Sequence, residues 1–481
     1  MSSKKFDNLI NGEWVSASEY RPNINPSNTE EVIGEYAVGG AEDVARAISA
    51  ARAAQPEWAA ASPQLRFTVL DKAARAIEER ADELGELLAR EEGKPLGEAK
   101  AEVGRAAQLF HFFAGEAVRN VGEIVDSIRP GLQVELTREP LGVVGVISPW
   151  NFPIAIPAWK IAPALAFGNA VVFKPADLTP GCAWELTNIL HEAGVPAGVL
   201  NLVMGPGSKV GSAIAESPEI DAVTFTGSQA VGSGVAASCA ANGVKVQCEM
   251  GGKNPLVVLE DADLDKAADI AINGAFFSTG QRCTASSRLI VTAGIHDEFV
   301  SRLKEKMTGL TVGSATAEGT VIGPVSNESQ LEGNLEYVEI ARKEGGEVYG
   351  GNRLELETPG YYMEPALITG TSNDMRINQE EVFGPVASVI KVADYEEALA
   401  VANDVDYGLS SGICTSSLAR ATDFKQRAQA GMVMVNAPTA GVDPHVSFGG
   451  WKASSYGPRE QGRAAREFYT RHKTSYTNPE G

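Results

Sequence analysis

Cysteine and histidine are scarce in this 481-residue sequence, five of each, and no Cys-x-x-Cys or Cys/His metal spacing occurs among them. A zinc site and a disulfide framework drop out of consideration, and a metal-free protein is expected. The thiols, Cys182, Cys239, Cys248, Cys283 and Cys414, are odd in number and scattered, which suits reduced side chains in a cytoplasm. Positive charge is in deficit. With 41 Lys and Arg against 62 Asp and Glu the formal charge is −21, a field that repels phosphate backbones and anionic lipid, so neither nucleic acid nor a membrane surface is an expected partner. Long apolar runs are missing too. Residues 1–14 hold no apolar signal-peptide core, and the longest apolar stretch, residues 161–173, contains Gly168-Asn169 and is too short to span a bilayer. A soluble, unprocessed chain is expected.

What is present is an ordinary globular composition, 44% hydrophobic and 21% charged. The chain is long enough for roughly three domains of about 150 residues, and so for a ligand-holding cleft. From residue 41 to about residue 118 the pattern is helical, with Val69, Leu70, Ala73, Ala74 and Ile77 recurring as one apolar stripe. Ser62-Pro63 starts this helix, because the hydroxyl can accept from a free N–H of the first turn while proline sits where no donor is needed. Gly93 and Pro95 stop the next segment. The texture then changes to short β-branched runs at 142–147, 170–173, 199–203, 222–226 and 256–259, with helical segments such as 184–193 between them. A second alternating region follows, with strands expected at 288–292, 386–392, 411–414 and 432–436. Strands alternating with helices predict parallel sheets, and the nearly all-apolar strands predict cover on both faces. The fold class is therefore α/β. Gly-rich pieces at 344–351 and 449–450 read as turns.

Several local segments could carry chemistry. Cys283 lies on a Gly-containing turn, Ser278-Thr279-Gly280-Gln281-Arg282-Cys283-Thr284, between a helical segment and a strand. Such a thiol is either a small buried hydrophobe or a nucleophile, and the positive charge of Arg282 beside it favours the thiolate. None of the histidines sits in a cysteine-hydrolase context, so the candidate base is a carboxylate: Glu249, in Glu249-Met250-Gly251-Gly252-Lys253, where burial would raise its pKa toward the working pH. A helix cap or a lysine partner is an equal reading of Glu249. Asn151, in the proline-bracketed loop Pro149-Trp150-Asn151-Phe152-Pro153, could donate its amide to a developing oxyanion or satisfy a turn. Lys174 and Asp177 end the strand 170–173, where ligands bind in open α/β sheets, or stand on a solvated turn. Phe225-Thr226-Gly227-Ser228 ends a strand and opens a helix whose N–H groups suit a pyrophosphate. No regular G-x-G-x-x-G is present; Gly205-Pro206-Gly207 comes nearest.

In this order the segments resemble the NAD(P)-dependent aldehyde dehydrogenase superfamily over essentially the whole chain. The resemblance rests on PWNFP at 149–153, KPAD at 174–177, FTGS at 225–228 with Gly232, EMGGK at 249–253, GQRC at 280–283, EEVFGPV at 380–386 and SFGGWK at 447–452. It implies a Rossmann-like cofactor domain (residues 1–121 and 140–250), a catalytic α/β domain (251–450) and an oligomerisation β-arm (122–139 and 466–481) used in homodimers or homotetramers. It also implies that Cys283 attacks an aldehyde, that Asn151 and the Cys283 N–H hold the oxyanion, and that Glu249 deprotonates the water that hydrolyses the thioester. Lys174 and Glu381 would hold ribose hydroxyls, Phe383 would pack near the nicotinamide ribose, and Trp150, Gly227 and Ser228 would lie along the dinucleotide.

Asp177 can accept from a ribose 2′-OH and would repel a 2′-phosphate, so NAD is expected over NADP, with NADP possible as a weaker substitute. Where succinic semialdehyde dehydrogenases place arginines, this sequence has Trp159 and Phe277. Side chains flanking the nucleophile line the family's substrate funnel, here Arg282 and Thr284. Arg282 either holds a carboxylate of the substrate or pairs with an acid inside the protein. Residues 280–288 look most like those of α-ketoglutaric semialdehyde dehydrogenases, which implies 2,5-dioxopentanoate as substrate, with succinic or another short carboxylated semialdehyde as the alternative. A cofactor-independent cysteine hydrolase or acyl transferase would use the same thiol without a dinucleotide.

Overall fold

The computed structural model describes residues 4–120 and 122–479; the expected domain limits at residues 1, 121 and 481 lie outside them. After short strands between Lys5 and Ala37, the N-terminal half forms a helical layer, Ala41–Ala60, Pro63–Glu79, Ala81–Glu92 and Leu96–Ala117. Ser62 caps the second helix with its hydroxyl accepting from the Leu65 N–H at 3.1 Å, and Val69, Leu70, Ala73, Ala74 and Ile77 form its buried stripe. Gly93 ends the third helix in the left-handed conformation, φ 94°, where a residue with a Cβ would be strained.

Two large sheets follow. In space the eight-stranded sheet runs Ser455–Tyr456, Lys245–Glu249, Ala222–Thr226, Val143–Ile147, Ala170–Lys174, Leu200–Leu202, Asn8–Ile10 and Glu13–Val15. Its inner strands are parallel and its outer ones antiparallel. The chain leaves Val143–Ile147 toward one side for the next strands and returns to its other side with Ala222–Thr226, so the sheet reverses direction there. A crevice beyond the carboxyl ends of those two strands is the usual place for a ligand. The seven-stranded sheet runs Glu347–Gly350, Ala366–Thr371, Val386–Val392, Ser286–Thr292, Asn254–Val258, Ser410–Cys414 and Met432–Val435, parallel except at Glu347–Gly350. The chain crosses between the sheets from Glu249 to Asn254. A third, antiparallel sheet joins Glu123–Asp126, Gln133–Pro140 and Thr470–Thr477.

The central strands are buried along their whole length, as their apolar sequences require. The sequence reading misses the antiparallel edges. Asn8–Ile10, Glu13–Val15 and Ser455–Tyr456 are too short to display a period of two. Glu347–Gly350 forms a fourth such edge inside the segment expected to be only a turn. Among the described residues no helix is long and apolar enough to cross a membrane, and no cluster of three His, Cys, Asp or Glu side chains could hold a metal ion.

Candidate active site

The turn carrying Cys283 is strained and tightly held. After the helix Leu264–Phe276 the backbone passes through Ser278 at φ 52°, Thr279 at φ 56° and Gly280 at φ 64°. The first two are not glycines, and each such residue costs on the order of 1–3 kcal/mol unless its surroundings fix it. They do. The Ser278 N–H donates to Glu98 Oε1 at 3.1 Å and the Ser278 hydroxyl to Glu98 Oε2, while the Thr279 hydroxyl donates to the Gly323 carbonyl at 3.1 Å. Gly280 is obligatory, since a Cβ there would run into the Gly384 carbonyl. Past the nucleophile, Asn254 Nδ2 donates to the Cys283 carbonyl at 2.8 Å.

The loop carrying Asn151 follows the strand Val143–Ile147 and is held by a buried ion pair. Lys94 Nζ donates to Glu102 Oε2 at 2.6 Å and to the Asn151 carbonyl at 2.7 Å. Glu102 Oε1 in turn accepts from the N–H groups of Ile154 and Ala155 at 3.1 and 3.2 Å. The same stretch of chain, residues 94–102, thus fixes both loops. Asn151 Nδ2 donates to the Gln281 carbonyl at 3.0 Å, which ties it to the turn of Cys283 and leaves the amide a second N–H.

Burial, the Glu381 charge and the Glu249 charge together push the Cys283 thiol up to about 12. Glu249 ends the strand Lys245–Glu249 and is buried. Its Oε2 accepts from the Ser455 hydroxyl at 2.5 Å across the register pair Glu249–Ser455, and Ser455 Oγ itself accepts from the Gly450 N–H at 2.6 Å. Burial and then the Glu460 charge hold the Glu249 carboxyl well above the usual carboxylate range, against the Ser455 bond and the cations Lys160 and Arg459. Its Oε1 is buried without a partner among the described residues.

A cavity of about 370 Å³ opens at Cys283 and Asn151, walled by Trp150, Gly227, Ser228, Glu381 and Phe383. Trp150 and Phe383 meet edge to face at 5.4 Å. Ser228, on this wall, caps the helix Gln229–Ala241, its hydroxyl accepting from the Val231 N–H. Glu381 Oε1 accepts from the Gly252 N–H at 2.9 Å, and burial pushes its carboxyl up to about 7. Lys174 and Asp177 pair at 3.1 Å outside this wall; Asp177 lines a small neighbouring cleft with Arg21 and Tyr36, and burial lowers the Lys174 ammonium. Glu249 also stands back from the cavity wall, on Ser455.

On the substrate side, the second of the two readings of Arg282 holds. Arg282 pairs with an acid inside the protein: its Nη2 donates to Glu98 Oε2 at 2.8 Å and its Nε to Ser278 Oγ at 3.1 Å. It reinforces the strained turn instead of reaching a ligand, because Glu98, fixed by Ser278, already offers it an oxygen. Phe277 packs on the core of the seven-stranded sheet, and Thr284 is buried with its carbonyl accepting from the Thr439 hydroxyl at 2.6 Å. Trp159 lies against Phe448 at 5.4 Å, and Cys283 packs on the same small apolar cluster of Leu409, Met432 and Phe448.

The model of the aldehyde dehydrogenase family matches residues 14–475. The chain belongs to that family. It is 45% identical over 477 residues to an α-ketoglutaric semialdehyde dehydrogenase of Bacillus subtilis, covering 98% of each chain. It is 46% identical over 475 residues to an α-ketoglutarate semialdehyde dehydrogenase of Haloferax volcanii, again covering 98% of each. A crystal structure of betaine aldehyde dehydrogenase from Staphylococcus aureus in complex with NAD+ superposes with a TM-score of 0.96 at 35% identity, covering 99% of this chain and 95% of that one. This aldehyde dehydrogenase is an oxidoreductase of mixed α/β fold, and what its site offers chemically is a thiol, an amide donor beside it and a retracted carboxyl group. Glu98, Lys94, Glu102 and Ser455 escape the sequence reading. The one local signal is a lysine set between Gly93 and Pro95, a charged residue at an enforced helix break.

Proposed function

We propose that this aldehyde dehydrogenase oxidises α-ketoglutaric semialdehyde (2,5-dioxopentanoate) to 2-oxoglutarate with NAD. The observation that carries the reaction is the join between nucleophile and oxyanion donor, Asn151 Nδ2 to the Gln281 carbonyl at 3.0 Å, two residues before Cys283. The substrate rests on the names of the 45% and 46% identical relatives. The donor set suits a dinucleotide. The helix N-terminus at Ser228 would take a phosphate, Glu381 and Lys174 would take ribose hydroxyls, and the Trp150 and Phe383 rings would flank a flat ring. When bound, NAD would supply a hydride acceptor.

The Cys283 thiol gives up its proton to water, its Sγ bonds to the aldehyde carbon, and the second Asn151 N–H with the Cys283 N–H carries the charge of the oxygen, a contribution of about 2.7–4 kcal/mol in comparable sites. Loss of hydride leaves a thioester on Cys283. Glu249 turns from Ser455 toward the cleft and takes a proton from the water that attacks the thioester. The acid leaves and the thiolate is restored. A carboxylate at Asp177, adjacent to Lys174, favours NAD over NADP. The arm sheet leaves Ile124 87% exposed and Ile128 fully so, apolar surface that a second copy covers, hence a homodimer or homotetramer. Five cysteines free of disulfides suit a cytoplasm, where thiols stay reduced.

Steady-state kinetics on 2,5-dioxopentanoate, succinic semialdehyde and betaine aldehyde, each with NAD and NADP, test the reading. The expected result is the highest kcat/KM for 2,5-dioxopentanoate with NAD. Equal or higher values for betaine aldehyde overturn the substrate, and a preference for NADP overturns the cofactor.

A further inference from the structure

With Arg282 committed to Glu98, another cation reaches the edge of the apolar cluster that receives Cys283. Arg105, on the helix Leu96–Ala117, donates Nη1 to the Val442 carbonyl and Nη2 to Gln461 Oε1 at 3.1 Å. Both acceptors are neutral, and among the described residues the guanidinium forms no ion pair. Burial lowers its pKa, with Asp443 and Glu102 acting from farther off. Val442 packs on the apolar cluster of Leu409, Met432 and Phe448 that also receives Cys283. Gln461 adjoins Glu460, whose backbone pairs with Phe448 in both directions at 2.8 and 2.9 Å. Trp159 lies on the Phe448 ring. Around Phe448, then, three distant segments bring Arg105, Gln461 and Trp159 together.

Two of these side chains have unmet donors. Gln461 Nε2 and Trp159 Nε1 are each buried with no acceptor among the described residues. A buried N–H without a partner is costly, and a site built to satisfy such groups with ligand atoms discriminates strongly against ligands that lack acceptors. We propose that Arg105, with the Gln461 amide and the Trp159 indole N–H, forms the specificity site for the oxygen-rich tail of the aldehyde, a carboxylate with or without an adjacent keto group. A guanidinium takes a carboxylate as a planar, charge-assisted pair, and the amide and indole N–H groups meet remaining oxygens. A trimethylammonium tail finds only donors and a like charge. The site rests on the reading of the substrate as a carboxylated semialdehyde.

The test uses the full chain with NAD, 2,5-dioxopentanoate and the uncharged pentanal. The wild-type enzyme should prefer 2,5-dioxopentanoate. Arg105→Gln should lose roughly 100-fold in kcat/KM on it, as removal of a hydrogen-bonded charge pair does, and stay within about 3-fold on pentanal, with Arg105→Lys in between. Glutarate should compete with the aldehyde in the wild type and bind roughly 100-fold more weakly to Arg105→Gln, a readout independent of turnover. Arg282→Ala should keep the discrimination. If the wild type shows no preference for the carboxylated aldehyde, the substrate reading fails. If the wild type prefers it and Arg105→Gln retains both the preference and the glutarate affinity, the assignment of Arg105 is wrong. Equal losses on both aldehydes in Arg105→Gln and Arg105→Lys, with glutarate affinity unchanged, would also overturn it.

Discussion

The two sides of Cys283 are built in different ways. Toward the cavity, its neighbours come from short contiguous motifs at strand ends: Trp150 and Asn151, Gly227 and Ser228, Glu381 and Phe383. Their geometry follows from parallel strands whose carboxyl ends open on one crevice. Toward Phe448, the groups come singly from residues 105, 159, 442 and 461, and no short segment contains two of them. The difference teaches where each kind of information resides. The groups proposed for chemistry common to many substrates lie on local motifs, whereas those proposed to discriminate among aldehydes are brought together by long-range packing.

That contrast can be broken or sharpened by substitution. Cys283→Ser belongs to both sides and should remove steady-state oxidation of every aldehyde by roughly 10⁴-fold or more while NAD binding, followed by protein fluorescence, persists. Survival of turnover would dissolve the contrast altogether. Asn151→Ala should lower kcat/KM by about 10²–10³-fold for charged and uncharged aldehydes alike, since oxyanion stabilisation does not read the tail. A loss confined to 2,5-dioxopentanoate would move Asn151 to the other side.

Ser455→Ala tests the retracted base through pH. Glu249 acts when deprotonated, so its step fades as pH falls through its already raised pKa. Losing the Ser455 donor removes an interaction that favours the carboxylate, and the groups that remain around it, Glu460, Lys160, Arg459 and Cys283, stay as they are. The acid limb of kcat should therefore move upward by about one pH unit, with little change above the limb, and Ser455→Thr should restore it. An unmoved limb would show that Ser455 does not tune the base. The smallest effect is expected for Asp177→Ala, a decline of about 10-fold in the NAD over NADP preference, read as a ratio of kcat/KM values. An unchanged ratio would take Asp177 out of cofactor choice.

The helix Pro63–Glu79 is readable because Ser62-Pro63 and the stripe from Val69 to Ile77 are local signals that tertiary structure has no reason to override. The strands Ala222–Thr226 and Val386–Val392 are equally plain as apolar runs. The turn of Cys283 and the loop of Asn151 stand out by their glycine and prolines. Arg282 does not yield to the same reasoning. Its position next to the nucleophile says nothing of Glu98, 184 residues earlier, which takes its guanidinium. Arg105 sits among Val103, Ala106, Ala107 and Leu109 in a helix that reads as scaffold, and only the loop around Val442 gives it a role. Ser455 is hidden for a further reason. The strand that aligns it with Glu249 spans only Ser455–Tyr456, too short for any pattern.

The central claim is a covalent acyl group on one sulfur. Rapid mixing of the enzyme with NAD and 2,5-dioxopentanoate, acid quenching within the first turnover and mass analysis of the proteolytic peptides measure it directly. One acyl adduct is expected, on the peptide containing Cys283, accumulating further in Glu249→Gln and absent from Cys283→Ser. NADH formation at the wild-type rate in Cys283→Ser, or an adduct on Cys182, Cys239, Cys248 or Cys414 in place of Cys283, would contradict it.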